Sequence, residues 1–258
     1  MRFSLLGSGS RGNATLVAAG DTLLLIDCGF SLRETTERLA RLNVAPNMLT
    51  AILVTHEHDD HISGIGALAR KHDIPVWLTG GTLRSAAGPL GELPAVRVFS
   101  NHDSFVVGDI CIQPVAVPHD ACEPCQFVFS DGDKRVGLLT DVGHVTPHIR
   151  RMVSGVHALL VEFNHDEFML RQGPYPESLK QRISGALGHL SNEQSAALLT
   201  EIDVTRLQHL VALHLSQQNN HPDIVRQTAA AALGCTPDWI AVADQDLGQG
   251  WCEVTALR

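Results

Sequence analysis

The segment THEHDDH, residues 55–61, follows an apolar run and places three imidazoles and three carboxylates within seven positions. Neutral imidazole and carboxylate are the usual protein ligands of zinc, manganese and iron. His56 and His58 are separated by one residue, so in extended backbone their side chains point the same way. Asp60 and His61 then stand in the first turn of the helix that follows. The segment therefore predicts four metal ligands on one short loop, where the plainer interpretation would be a solvated loop.

Acids or imidazoles also end other apolar runs of the chain. Short continuous apolar runs are typical of strands covered on both faces, and ligands gather where the carboxyl ends of such strands meet. Besides His56, the terminal residues are Asp27, His119, Asp141, Glu162 and His214. Together with the loop, His119, Asp141 and His214 bring the candidate ligands to seven. That number exceeds one tetrahedral ion and suits two ions that share a carboxylate.

The composition describes a chain with a large core and an acidic balance. Apolar residues make up 44% of the 258 residues, and the formal charge is −9. A protein that holds nucleic acid by electrostatics alone should be basic, but bound metal cations do not enter this count. No run approaches the roughly 20 apolar residues of a membrane span, and the first residues lack a secretory signal pattern. We therefore expect a cytoplasmic protein with no membrane partner.

The six cysteines are scattered along the chain, and Cys122 and Cys125 form its one CxxC pair. A closed zinc site would need two more ligands nearby. We expect reduced thiols rather than a disulfide framework at this chain length.

Strands and helices alternate loosely along the sequence. Ser31 and Ser191 each begin a capping box, and Gly234 follows the last residue of a clear helical pattern. Helices are predicted from the Ser31 cap to about residue 42, from 62 to 72, from the Ser191 cap to about 202, and from 222 to 233. Hairpins are predicted at 14–27 and 96–117. No linker or low-complexity segment divides the chain, so we expect one domain over residues 1–258.

The loop GSGSRG, residues 7–12, fits the dinucleotide-binding pattern G-x-G-x-x-G. Only seven residues separate Gly12 from Gly20, too few for the crossover that a parallel strand pair requires. We therefore expect a strand, a loop and a hairpin instead of a nucleotide fold. Ser10 and Asn13 of this loop are candidate contacts for an anionic substrate. A flexible turn between strands explains the loop equally well.

The pattern His56-x-His58-x-Asp60-His61 after a strand, followed by His119, Asp141 and His214, resembles the metallo-β-lactamase fold. The resemblance implies an α/β (α+β) protein, a four-layer αβ/βα sandwich with a dinuclear metal site at the edge of the two sheets. It implies that His56, His58 and His119 hold one ion. Asp60, His61 and His214 would hold the other, Asp141 would bridge the two ions, and Asp27 would steady the loop from behind.

The C-terminal half resembles one branch of that fold. The stretches GHLSN, residues 188–192, and HLS, residues 214–216, are similar to motifs of RNase Z-type phosphodiesterases, and GHLSN and HLSQQNN also resemble the bacterial YycJ/WalJ group. The resemblance implies a 5′-to-3′ exonuclease in which metal-activated hydroxide attacks the phosphodiester. His189 would donate a proton and Glu162 would orient it. Asp60, a ligand of the activating ion, counts as catalytic too.

The same resemblance implies the partners. Two divalent ions are expected, zinc or manganese first and iron or nickel also compatible with the donors. The expected substrate is nucleic acid, DNA ahead of RNA, with DNA-repair proteins as further partners. His165 and Asn219 are additional candidate substrate contacts, although turns explain them equally well.

Two other functions fit the seven ligands. A thioesterase or lactonase of the glyoxalase type would use the same ions without needing His189 and Glu162. A non-catalytic metal-binding regulatory module would need no open position on the metal. The phosphodiesterase hypothesis is preferred because it gives His189 and Glu162 a role.

Overall fold

The first of two sheets contains strands from both ends of the chain. The computed structural model describes residues 1–255, and one domain is predicted over all 258 residues. Its strands are β1 (Arg2–Gly7), β2 (Ala14–Ala19), β3 (Thr22–Ile26), β4 (Ala51–Leu53), β5 (Val76–Thr79), β6 (Val96–Phe99) and β14 (Gln249–Glu253). Their spatial order is β14-β1-β2-β3-β4-β5-β6. Pairing is antiparallel from β14 to β3 and parallel from β3 to β6.

The second sheet has the same mixed organisation. Its strands are β7 (Phe105–Val107), β8 (Ile110–Ala116), β9 (Cys125–Ser130), β10 (Arg135–Leu139), β11 (Ala158–Glu162), β12 (His209–Leu213) and β13 (Ala241–Val242). Their order is β13-β12-β11-β10-β9-β8-β7. The pairs from β7 to β10 are antiparallel, and those from β10 to β13 are parallel.

Helices connect the strands and cover the outer faces. They are α1 (Leu32–Arg41), α2 (Asp59–Ile62), α3 (Ile65–His72), α4 (Gly80–Leu90), α5 (Pro147–Val153), α6 (Glu167–Gln172), α7 (Glu177–Ile183), α8 (Asn192–Glu201) and α9 (Pro222–Leu233), with short 3₁₀ turns at Pro46–Met48 and Pro237–Trp239. The capping boxes at Ser31 and Ser191 form as predicted, and Gly234 ends α9 in the left-handed conformation with φ 64°. None of the helices within residues 1–255 is both long and apolar enough to cross a bilayer.

Three apolar clusters define the layers. The central cluster joins the facing sides of the two sheets and includes Leu24, Phe127 and Leu160. A second cluster packs α1, α3 and α4 on the first sheet, and a third packs α5, α8 and α9 on the second. The order is therefore helix, sheet, sheet, helix, which confirms the predicted four-layer αβ/βα sandwich.

Two local predictions were wrong. The segment 96–117 is not one hairpin, because β6 pairs in parallel with β5 in the first sheet while β7 and β8 form a hairpin in the second. The chain changes sheets between Phe99 and Phe105, and strand patterning cannot show to which sheet a strand belongs. The helix predicted from 62 to 72 is interrupted at Ser63 and Gly64, which lie between α2 and α3.

Candidate metal centre and active site

Three histidines from both sheets point their ring nitrogens at one place. Nε2 of His56 lies 3.0 Å from Nδ1 of His58, and Nε2 of His119 lies 3.3 Å from that same Nδ1. His56 and His58 follow β4, whereas His119 follows β8. The ligand atoms of the three residues all lie within 4.8 Å of one another. The first predicted ligand triad is therefore assembled.

The second predicted triad lies beside the first. One oxygen of Asp60 lies 3.5 Å from Nε2 of His61 and 3.5 Å from Nε2 of His214. Between the triads stands Asp141, with Oδ2 3.1 Å from Nε2 of His61 and Oδ1 3.8 Å from Nε2 of His119. Its carboxylate therefore faces both groups, as a bridging ligand must.

The tautomers of two histidines follow from their outer contacts. Nδ1 of His119 lies 3.1 Å from the carbonyl oxygen of Gly188, which can only accept, so Nδ1 carries the proton. The hydroxyl of Thr55 donates to Asp27 at 2.7 Å and so accepts from Nδ1 of His56 at 3.0 Å. In both rings Nε2 is then unprotonated, so its lone pair is available to a metal ion, and it points toward His58.

Carboxylates hold the histidines of the second triad in the same way. Oδ2 of Asp27 lies 2.8 Å from Nδ1 of His61, and Oε1 of Glu162 lies 3.1 Å from Nδ1 of His214. Within the described chain, Nε2 of His214 is buried and has no hydrogen-bond partner. An orphaned, buried imidazole nitrogen among converging acceptors is a polar group that a cation would satisfy. The donors therefore fit two divalent ions.

The buried carboxylates are suited to remain ionised. Burial would raise the pKa of Asp141, but the charges of His214 and His61 lower it well below its usual value. The pKa of Asp60 is likewise lowered, against the effect of burial, by His61 and His214. Burial lowers the pKa of His56 well below its ordinary value, reinforced by the neighbouring His61. Burial would lower the pKa of His61 and of His214, but Asp141 and the neighbouring carboxylates raise both values well above normal. Because metals bind ionised carboxylate and neutral imidazole, an ion would displace a proton from each of these two rings.

The backbone is strained where three of these side chains leave their strands. Asp27 (φ 59°), Asp141 (φ 55°) and His214 (φ 53°) lie just past β3, β10 and β12 in the left-handed region. For residues other than glycine this conformation costs on the order of 1–3 kcal/mol and is concentrated at functional sites. The turn aims each side chain back over the strand ends, where the ligands meet.

Buried Glu162 and partly buried His189 form an acid–imidazole pair beside the ligands. Oε1 of Glu162 lies 2.6 Å from Nδ1 of His189, while Oε2 accepts from the backbone N–H of Val142 at 3.0 Å. Burial would raise the pKa of Glu162, but the charge of His189 and hydrogen bonds with His189 and His214 lower it to about 2. Burial lowers the pKa of His189, but the charge of Glu162, its hydrogen bond and the charge of Asp141 together raise the pKa above its ordinary value. Nδ1 of His189 also lies 3.6 Å from Oδ1 of Asp141, so the candidate proton donor stands beside the candidate ligands.

A cavity of about 380 Å³ opens over this group and is wide enough for a small ligand. It is lined by His58, Asp60, Asp141, His189 and His214, together with Ser10, Asp120 and residues of the α7 segment. Asp120 was not among the predicted site residues. One of its oxygens lies 3.5 Å from Nε2 of His119, and the other accepts from Arg182. Its position directly after His119 was the signal that could have found it.

The four predicted substrate contacts are placed differently from one another. Ser10 lines the cavity, so its contact with substrate stays a prediction. His165 is 2% exposed and lines a second cavity of about 340 Å³ between α6, α7 and α8, where its role also stays a prediction.

The other two predicted contacts, Asn13 and Asn219, lie outside the cavity lining. Asn13 is outside the cavity lining, and its amide donates to Oδ2 of Asp60 at 3.1 Å. Asn219 is fully buried, and its amide nitrogen lies 3.3 Å from the hydroxyl of Ser216. Neither residue lines the cavity over the ligand cluster, and their contact with substrate stays a prediction.

The CxxC pair does not form a unit. Cys122 is exposed, whereas Cys125 is buried with Sγ 3.7 Å from the carbonyl oxygen of Thr55. The two thiols therefore lie in different environments.

Comparison with known proteins agrees with this geometry. The beta-lactamase superfamily domain matches residues 22–214, from β3 to the last predicted ligand. The chain belongs to the beta-lactamase superfamily. Its four-layer fold is the metallo-β-lactamase fold, and its family and curated relatives make it a hydrolase.

Several relatives are similar over most of the chain. Exodeoxyribonuclease YycJ of Bacillus anthracis is 36% identical over 90% of this chain and 89% of that protein. Exodeoxyribonuclease WalJ of Streptococcus pneumoniae is 38% identical over 92% of each chain. Ribonuclease Z of Mycolicibacterium gilvum is 41% identical over 57% of this chain and 54% of that protein. The resemblance to the RNase Z-like branch and to the YycJ/WalJ group is thus confirmed.

A solved structure shares the fold at low sequence identity. The metallo-beta-lactamase fold protein YhfI of Bacillus subtilis superposes with a TM-score of 0.74 and 16% identity, covering 98% of this chain and 99% of that one. At this identity the likeness concerns the fold alone.

Proposed function

We propose that this chain is a metal-dependent phosphodiesterase that degrades DNA from the 5′ end. The observation that carries the proposal is the 2.6 Å contact between Glu162 and His189 at the wall of the ligand cavity. Ester hydrolysis with a poor leaving group needs a proton donor, and a buried carboxylate that keeps an imidazole protonated supplies one. The names of the YycJ and WalJ relatives, both exodeoxyribonucleases, support DNA as the substrate.

The metal ligands, the His189–Glu162 pair and the residues behind the ligand loop have separate roles in this reaction. Divalent ions held by the seven ligands would supply positive charge for the phosphate and lower the pKa of a bound water. His189 holds the proton that the departing oxygen needs, and Glu162 fixes the orientation of its ring. Asp27 and Thr55 keep the ligand loop in place, which preserves the aim of the donors during turnover.

The overall acidity of the chain is compatible with an anionic substrate. The formal charge of −9 is spread over the surface, whereas the ions would concentrate positive charge inside one cavity. Fields of exposed charges are damped beyond a Debye length of about 8 Å at physiological salt. Zinc or manganese, a cytoplasmic location and DNA-repair partners belong to the same proposal.

The competing thioesterase function is separated by a direct comparison. Bis-p-nitrophenyl phosphate and a glutathione thioester are assayed side by side with the purified protein and each divalent ion in turn. The proposal expects turnover of the diester and little or none of the thioester. Thioester turnover without diester turnover contradicts it, because such a reaction has a good leaving group and no need of His189.

Polarity and substrate are tested with labelled nucleic acids. Single-stranded and duplex DNA and RNA, labelled at either end, are incubated with the protein and zinc or manganese, and the products are sized. We expect early release of mononucleotides from 5′-labelled DNA and a shortening ladder from 3′-labelled DNA. The opposite pattern, or cleavage of RNA alone, overturns the assignment.

A further inference from the structure

The segment formed by Tyr175 and α7 separates two cavities with opposite faces. Tyr175, Leu179, Arg182 and Ile183 line the cavity over the ligand cluster. Glu177, Lys180, Gln181 and Ser184 line the second cavity. None of the α7 residues is buried, so its composition is not dictated by the core.

Arg182 differs from the other residues that line the ligand cavity. In the described part of the chain it is the one permanent cation among them, beside four aspartates. Its Nε donates to Oδ2 of Asp120 at 2.7 Å. No residue in 1–255 accepts a hydrogen bond from its two terminal nitrogens, and 59% of its side chain is exposed. An anchored guanidinium with a free fork is suited to grip a phosphate with two parallel hydrogen bonds.

The position of the fork decides which phosphate it can reach. The Asp120 carboxylate links Arg182 to the ligand cluster, because its Oδ1 lies 3.5 Å from Nε2 of His119 and its Oδ2 accepts from Arg182. The ligand cluster would take the scissile phosphate through its ions, and Arg182 lies beside that cluster, beyond Asp120. Its partner is then a phosphate next along the strand.

We propose that Arg182, anchored by Asp120, binds the phosphate that neighbours the scissile one, so that the site selects polynucleotides over isolated diesters. The inference rests on the proposed phosphodiesterase function and adds its substrate class. Arg182 then binds substrate directly, and Asp120 holds Arg182 in position.

Two alanine substitutions of basic residues on the same helix are compared. Arg182→Ala removes the fork, and Lys180→Ala is the matched control, because Lys180 lies on the opposite face of α7 with Nζ bonded to the carbonyl oxygen of Arg171. KM and kcat are measured for a single-stranded oligonucleotide and for bis-p-nitrophenyl phosphate, which has no neighbouring phosphate. We expect Arg182→Ala to raise the oligonucleotide KM about tenfold, with a much smaller change for the small diester. Arg182→Lys should recover part of the loss, since it keeps the charge without the fork.

Salt dependence gives an independent readout. Removing one phosphate contact should flatten the slope of log affinity against log salt by about 0.7 for single strands. Binding of a fluorescent oligonucleotide, followed by anisotropy, provides this slope whether or not cleavage occurs. Lys180→Ala should keep the wild-type slope.

Three results are decisive. Equal losses on both substrates would place Arg182 on the scissile phosphate and overturn the proposal, as would an Arg182→Ala protein that matches Lys180→Ala. If the wild type cleaves neither substrate, the proposed function fails, and the anisotropy difference between the two variants still decides the subsite. Unchanged thermal unfolding of both variants confirms that α7 is intact.

Discussion

Oε1 of Glu162 contacts two imidazoles, Nδ1 of His189 at 2.6 Å and Nδ1 of His214 at 3.1 Å. One carboxylate at the end of β11 therefore orients both a metal-ligand candidate and the proton-donor candidate. The arrangement couples the two roles, because a shift of Glu162 would displace both rings together.

His189→Ala should lower kcat for phosphodiester hydrolysis by at least tenfold while the protein keeps its metal. General-acid catalysis is typically worth about 10²–10⁴ in rate, and alanine removes the donor but none of the seven ligands. Steady-state kinetics and metal analysis of the same sample measure both quantities. His144→Ala, an exposed histidine on a neighbouring loop, serves as the control. Unchanged turnover in His189→Ala would exclude the proton-donor role.

Glu162→Gln should move the alkaline limb of the kcat profile to lower pH. The charge of Glu162 raises the pKa of His189, so the wild-type donor stays protonated to higher pH. Glutamine removes that charge, the pKa of His189 falls, and activity declines earlier as pH rises. The profile is recorded alongside Glu193→Gln, an exposed acid at the start of α8. A limb that stays in place or moves to higher pH contradicts this assignment.

Asp141→Ala should lose divalent metal. Its two oxygens face both ligand groups, so the substitution removes a ligand from each ion and should weaken binding by more than the roughly 10–100-fold typical of outer-shell changes. Metal content after dialysis is the measurement, and Asp103→Ala, at an exposed position, is the control. Full occupancy in Asp141→Ala rules out the bridge.

Chelation should lower the free energy of unfolding of the wild type. Each ligand triad draws on both sheets, so a bound ion cross-links them at the edge of the sandwich. An ion present at 100 times its Kd stabilises the native state by about 2.7 kcal/mol. Denaturant unfolding with and without chelator measures the difference. Coincident curves would show that the ions contribute nothing to the fold.

Cys122 should react with alkylating reagents well before Cys28 and Cys125. Burial raises the pKa of Cys28 to about 11 and that of Cys125 well above its usual value, which suppresses the reactive thiolates. Mass spectrometry after timed labelling of the native protein resolves the three sites. Early labelling of Cys125 would contradict its burial.

The ligand set could be predicted because it obeys a local rule. Asp141 and His214 each follow a buried strand of the second sheet, and parallel strands end at a common edge, so sequence position was enough to group them. The contact of Glu162 with His189 was implied by the resemblance, whereas its second contact, with His214, could not be predicted, because these residues are 52 positions apart. The hydrogen bond from Asn13 to Asp60 could not be predicted either, because a loop residue can face either the cavity or the ligands behind it.

The sheets to which β6 and β7 belong could not be predicted, because a strand pattern does not show which strand is its neighbour. Both β6 and β7 are partly exposed strands, but the two lie at the edges of different sheets. Only the backbone pairing of β6 with β5 and of β7 with β8 decides this, and such pairing is invisible in one sequence.

The left-handed turns at Asp27, Asp141 and His214 give this scaffold a built-in conflict between durability and chemistry. Glycine would relax the backbone at each position and delete a functional group. A library of variants screened only for thermal stability would therefore tend to lose these three residues. A library screened for turnover would keep them and accumulate stabilising substitutions elsewhere.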